Sequence, residues 1–168
     1  MQMNKRQFVL AAALSSFTLA SPIAMAQSDS FKIGLILPMT GPFASTGKQI
    51  EAAARLYMAQ NGSTVAGKKV ELIIKDDTSA PDVTKRIAQE LVINDKVSVL
   101  AGFGLTPLAM ATAPVATQSK TPMVVMAAAT SSITQASPFI VRTSFTLPQA
   151  AVAIADWAPE NGIKKVVT

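Results

Sequence analysis

The 168 residues contain neither cysteine nor histidine. The first absence excludes disulfides and the lipid-modified cysteine that tethers many exported proteins. Together the two remove the thiol nucleophile, the commonest catalytic base and the usual transition-metal ligands. Aromatic residues make up 5% of the chain, too few for a platform on which bases stack. The formal charge of +5 is spread without clusters and does not signal nucleic-acid binding. The pairs Lys68-Lys69 and Lys164-Lys165 each precede an apolar run and read as solvated strand starts. No Walker-type phosphate loop and no G-x-S-x-G elbow occurs, so neither an enzyme nor a cofactor is expected.

What the chain does have begins with a tripartite leader. Lys5 and Arg6 open it, Phe8 to Ala20 is a mostly apolar uncharged run, and Ala24-Met25-Ala26 fits a small-x-small cleavage site. The apolar run is broken by Ser15, Ser16 and Thr18 and is too short to span a bilayer. Residues 1–26 are therefore expected to be a cleavable signal peptide, with Gln27 as the first mature residue. Removal of Lys5 and Arg6 lowers the formal charge from +5 to +3 and leaves enough chain for one domain of ordinary core size. An exported chain with no anchor needs an enclosing compartment, which points to a periplasm.

Four near-continuously apolar runs, Ile33–Leu37, Val70–Lys75, Val97–Ala101 and Met123–Met126, read as buried parallel strands. Helical patterns separate them. The first carries Ile50, Ala53, Ala54, Tyr57 and Met58 on one face after a loop running from Pro38 to Gly47. The second starts after Thr78-Ser79 with Pro81 in its first turn and a stripe of Val83, Ile87, Ala88 and Leu91. The third starts near Thr106-Pro107 with Leu108, Ala111 and Val115, and Pro114 should kink or shorten it. Strand-helix alternation of this kind predicts an α/β fold with a doubly wound parallel sheet. Phe139–Thr143 is a further short strand, Ala150–Trp157 a helix stopped by Asn161-Gly162, and Ile163 to Thr168 the opening of another strand.

Carboxylates are densest at Asp76, Asp77 and Asp82, where they would bind a cation or serve as a general base. Capping is the better reading, with Asp77, Thr78 and Ser79 at the start of the second helix and no metal site. Gly102-Phe103-Gly104 resembles a dinucleotide loop only faintly, since the last glycine of that motif would fall at Pro107. Three loops at strand carboxyl ends remain, sharing one edge of a parallel sheet. They carry Thr40, Ser45 and Thr46; Gly104, Leu105 and Thr106; and Ala128, Ala129, Thr130, Ser131 and Ser132. Each hydroxyl alone is more simply a cap or turn former. Converging on one edge with helix-start N–H groups, they suit a small carboxylate.

The segments KIGLILPMTGPFASTG, VELIIKDDTSAPDVT, VSVLAGFGLTP, PMVVMAAATSSIT and FIVRTSF resemble, in the same order, the periplasmic leucine/isoleucine/valine-binding proteins, solute receptors of ABC importers. The resemblance implies a two-lobed type I periplasmic-binding fold that closes on its ligand. It assigns residues 27–146 to the N-terminal lobe and 147–168 to the start of a second lobe, cut short. The ligand-binding positions it implies are Thr46, Gly104, Leu105, Thr106, Ala128, Ala129 and Thr130, with N–H groups near Ala128 and Thr130 among the donors. Thr46 stands where relatives often carry an aromatic, which puts their aliphatic side-chain pocket in doubt. The expected function is to bind an amino acid or related carboxylate, with an inner-membrane ABC permease as partner. The alternative use of this fold is an extracytoplasmic sensory domain coupled to a signalling partner.

Overall fold

A computed structural model describes residues 30–165. The leader lies outside the described residues. Six strands form one sheet: β1 (Phe31–Leu37), β2 (Thr64–Val65), β3 (Lys68–Asp76), β4 (Val99–Gly102), β5 (Met123–Val125) and β6 (Ile140–Arg142). Their spatial order is β2-β3-β1-β4-β5-β6. Every pairing is parallel except β2 with β3, a hairpin that turns at Ala66 and Gly67, both at positive φ. β1 is the central strand, paired from Phe31↔Val70 to Leu37↔Asp76 on one side and from Ile33↔Val99 to Ile36↔Gly102 on the other.

The four expected buried strands and the short strand expected over Phe139–Thr143 are present, with shifted ends. Val97 is buried but precedes β4, and Ser98 N–H donates to the Lys32 carbonyl at 2.8 Å ahead of the ladder. The β2 hairpin is not expected from the sequence, because two exposed residues carry no hydrophobic period. Of the strand expected over Ile163 to Thr168, residues 163–165 are irregular and exposed, and the rest lies outside the described residues.

Four α-helices connect and follow the strands: α1 (Ala44–Asn61), α2 (Pro81–Ile93), α3 (Thr106–Ser119) and α4 (Leu147–Glu160), with a short 3-10 turn at Ser131–Gln135. α2 and α3 cover one face of the sheet. There Ile87, Leu91, Ala109 and Ala116 pack with Ile36, Leu100, Met123 and Val125. The opposite face centres on Leu35, Leu37 and Ala101, with Ile50 of α1 against them.

Three expectations about the helices are corrected. α1 starts at Ala44, so Ser45, Thr46 and Gly47 belong to its first turn and not to a loop. Gly47 is buried there against the Pro38 carbonyl, which an added Cβ would overlap. The apolar face of α1 narrows to half-buried Ile50, Ala54 and Met58, while Ala53 and Tyr57 are exposed. Tyr57 and Met58 instead border a cavity of about 540 Å³ against Phe31, Val70 and Leu72. α3 continues through Pro114 to Ser119 without shortening. The proline removes one donor, and the carbonyl it would have served belongs to the exposed Met110.

α4 begins with a capping box, in which Gln149 N–H donates to Thr146 Oγ1 and Thr146 N–H donates to Gln149 Oε1. It ends at Asn161-Gly162 as expected, with Ile163 N–H returning to the Ala158 carbonyl at 3.0 Å. Leu147, Val152, Ile154 and Trp157 on this helix are all exposed.

Candidate functional site

The chain leaves β1 for β3 on one side of the sheet and then for β4 on the other, which makes the β1–β4 boundary a topological switch point. Crevices at the carboxyl ends of strands open at such points. Two glycines bring the flanking loops together. Gly102 has φ +113°, and a Cβ there would overlap the Ile36 carbonyl. At Gly104 a Cβ would press on the Pro38 ring at 2.9 Å. Gly104 thus serves a close approach between the loops after β4 and β1.

The loops after β4 and β5 meet through their hydroxyls. Thr106 Oγ1 and Thr130 Oγ1 are 2.8 Å apart in a hydrogen bond that either can donate. One hydroxyl hydrogen is consumed between them, so the pair turns one donor outward. Among the described residues, the backbone N–H groups of Gly104, Leu105, Ala129 and Thr130 have no acceptor. The Leu105 carbonyl is taken by the N–H groups of Leu108 and Ala109, both at 3.2 Å.

The Ala128 N–H does not join this donor set. It donates to the Phe103 carbonyl at 3.1 Å, and Ala128 is buried, so its expected role as a ligand donor gives way to fastening the loop. Thr46 sits half-buried in the first turn of α1, with its N–H on the Phe43 carbonyl. No hydrogen bond among the described residues links Thr46 to Thr106 or Thr130.

Arg142, to which the sequence assigns no role, and Asp76, which it offers only as part of a cation or general-base cluster, organise this edge. Arg142, the last residue of β6, donates from Nη1 to the Thr130 carbonyl at 2.6 Å. Its guanidinium forms no ion pair among the described residues. Asp76 ends β3 and clasps the loop after β1: Oδ1 accepts from Met39 N–H and Thr78 N–H, both at 2.9 Å, and Oδ2 from Thr40 Oγ1 at 2.6 Å. Burial pushes its pKa up, but these donors outweigh burial and hold it below the ordinary value.

This corrects the capping expectation for the acidic turn. The N-cap of α2 is Ala80 and has no side-chain cap. Asp77 is fully buried, with Oδ1 accepting from Ser79 N–H at 2.8 Å and Oδ2 unpartnered. Burial, with a smaller push from Asp76, raises the Asp77 pKa against the opposing Ser79 bond. No three acidic residues gather closely enough to hold a metal ion among the described residues.

Among the described residues the edge therefore offers neutral donors and one cation without an ion pair, while the Asp76 carboxylate is engaged and that of Asp77 is buried, an arrangement suited to an anion. The mostly parallel, doubly wound sheet superposes on less than two fifths of the chains of solved solute-binding proteins, as a single lobe of a type I periplasmic-binding fold. Residues 30–168 match the family model described as periplasmic binding protein, and the chain belongs to that family. A curated relative, Leu/Ile/Val-binding protein homolog 6 of Brucella abortus, is 47% identical over 93% of this chain and 40% of its own length. A solute-binding protein of an ABC transporter from Rhodopseudomonas palustris, solved with 3,4-dihydroxybenzoic acid, is 65% identical. It superposes with TM-score 0.78 over 81% of this chain and 38% of that one. The leucine-binding protein LivK of Thermotoga maritima is 31% identical, with TM-score 0.72 over 77% of this chain and 37% of that one. The chain thus spans about 40% of the length of the curated relatives it matches. Among the described residues, no helix is long and apolar enough to cross a membrane.

Proposed function

We propose that this chain is the N-terminal ligand-binding lobe of a periplasmic solute receptor that serves an ABC permease, and that its ligand is a small aromatic carboxylate of the hydroxybenzoate type. Residues 1–26 direct export, 27–146 form the lobe, and the segment from Leu147 enters the second lobe; the exposed apolar side chains of α4 support that division. The observation that carries the ligand class is the Thr106–Thr130 hydroxyl pair with the Arg142 guanidinium on the Thr130 carbonyl beside it. A carboxylate accepts from the hydroxyl pair and the open N–H groups and is favoured by the positive charge behind them. An amino acid adds an ammonium, to which the described part of this edge offers hydroxyl and carbonyl oxygens but no accessible carboxylate, since both oxygens of Asp76 are engaged and Asp77 is buried. The relative at 65% identity was solved with a dihydroxybenzoic acid, which supports the same class.

Binding at such a lobe involves no bond making. Neutral donors at the edge orient the carboxylate, and ligand selects the closed arrangement of two lobes by binding it better than the open one. Branched-chain amino acids are the second reading, favoured by the name of the relative at 47% identity. NMR titration of the chain with 3,4-dihydroxybenzoate, 4-hydroxybenzoate and leucine separates the two. The expected result is that the aromatic acids move the Leu105, Thr106 and Thr130 amides and leucine does not. Shifts with leucine alone would reverse the assignment.

A further inference from the structure

The loop after β5 is held from one direction by one segment. Three successive carbonyls, those of Ala128, Ala129 and Thr130, accept hydrogen bonds from residues 142–147. Ser144 Oγ donates to Ala128 at 3.4 Å, Leu147 N–H to Ala129 at 2.9 Å, and Arg142 Nη1 to Thr130 at 2.6 Å. The Arg142 bond is the shortest and involves a charged donor, which makes such bonds roughly twice as strong as neutral ones.

We propose that Arg142 is a positioning residue for the ligand edge: by holding the Thr130 carbonyl it sets the loop so that the Thr130 hydroxyl meets Thr106 and the Ala129 and Thr130 N–H groups stay open. The inference rests on the ligand edge proposed above. The geometry behind it is local. Thr130 is the N-cap of the 3-10 turn at Ser131–Gln135, and without Arg142 its carbonyl keeps only the 3.3 Å bond from Ile133 N–H. A peptide group is planar, so fixing that carbonyl also fixes the Ser131 N–H at the other end of the unit. Arg142 is itself firmly anchored, because β6 pairs it with Val125 and Thr143 N–H continues the ladder to the Val125 carbonyl at 3.0 Å. The loop and the strand supplying its clamp therefore start from the same rung of the sheet. The same clamp ties the edge to the start of α4 through Leu147, so the ligand loop and the segment entering α4 move as one unit.

The test is NMR of Arg142→Met and Arg142→Lys in the 168-residue chain, with Arg55→Met as a control. Among the described residues Arg55 bonds only to Glu51 within α1. Arg142→Met is expected to move the Thr130 carbonyl, the Ser131 amide and the Thr106 side-chain resonances while α2 resonances stay in place. Arg142→Lys retains one donor and the charge, and should return most of those shifts; it also keeps the test open should the methionine variant unfold. With 4-hydroxybenzoate as the probe, a tenfold or greater loss of affinity is expected for Arg142→Met, a smaller loss for Arg142→Lys, and none for Arg55→Met. Unchanged Thr130 and Ser131 resonances in Arg142→Met would overturn the assignment, as would unaltered probe affinity in a variant whose resonances have moved. Failure of the unmodified chain to respond to the probe would sink the ligand class alone, because the Thr130 and Thr106 resonances still decide the role of Arg142.

Discussion

Asp76 and Asp77 are neighbours in sequence, and folding drives their acidities in opposite directions. Asp77 is raised, chiefly by burial, so between the unfolded value near 3.8 and its folded pKa the native chain retains a proton that the unfolded chain has released. Its contribution therefore falls as pH rises through that interval and stays unfavourable above it. Asp77→Asn removes the charge while keeping an acceptor for Ser79 N–H, so urea unfolding at pH 7 should give a higher midpoint than the parent, with the two converging near pH 3. Asp76 has the opposite sign. Burial raises it, but the Thr40 hydroxyl and the Thr78 and Met39 N–H groups depress it further than burial lifts it. Its stabilisation is present above about 3.8 and is lost as pH falls through the lower folded value. Asp76→Ala leaves those donors without their carboxylate and should cost about 2 kcal/mol at pH 7, by the usual worth of hydrogen bonds to a charged group. The loss should shrink in acid, which a plain packing defect would not do. Gly102→Ala combines a strained positive φ with overlap on the Ile36 carbonyl and should cost about 3 kcal/mol, read as a pH-independent shift of the same midpoint.

Among the elements, legibility follows burial. The strands are readable because their residues are apolar in near-continuous runs, and Val97 shows what that signal measures: it is buried yet outside the ladder. Two exposed residues of β2 give no such signal. The start of α1 is hidden because Ser45-Thr46-Gly47 has loop chemistry, whereas Gly47 is small to clear the Pro38 carbonyl and does not turn the chain. At the site, the parallel arrangement is enough to bring Thr106 and Thr130 to one edge across 24 residues. The clamp by Arg142 leaves no local trace, since a side chain reaching a carbonyl in another loop has no spacing of its own. α4 supplies the prediction at this scale. Its large apolar side chains are exposed, including Trp157 at 54%, the single tryptophan of the sequence. Fluorescence of the chain should show an indole in water, readily quenched by iodide. A protected, unquenched indole would mean that α4 packs on the lobe.

For the whole molecule, the decisive quantity is how much of a ligand one lobe can enclose. Pockets for small molecules usually bury 70–90% or more of their ligand. Here the donors lie on one edge of one sheet, and the chain spans about 40% of the length of its curated relatives. Hydrogen bonds that still compete with water are worth only about 0.5–1.5 kcal/mol each. The hydroxyl pair and a few open N–H groups, with Arg142 behind them, sum to roughly the −4 kcal/mol of a millimolar site. Micromolar binding requires about twice that, and the difference must come from excluding water on the side that this edge leaves open. Calorimetry of the 168-residue chain with 4-hydroxybenzoate should therefore find dissociation constants near millimolar, weakening further with salt because the Thr130 loop engages the Arg142 charge. A micromolar constant would mean that the lobe shields its ligand without a second surface, and the two-lobed mechanism would then be unnecessary for affinity.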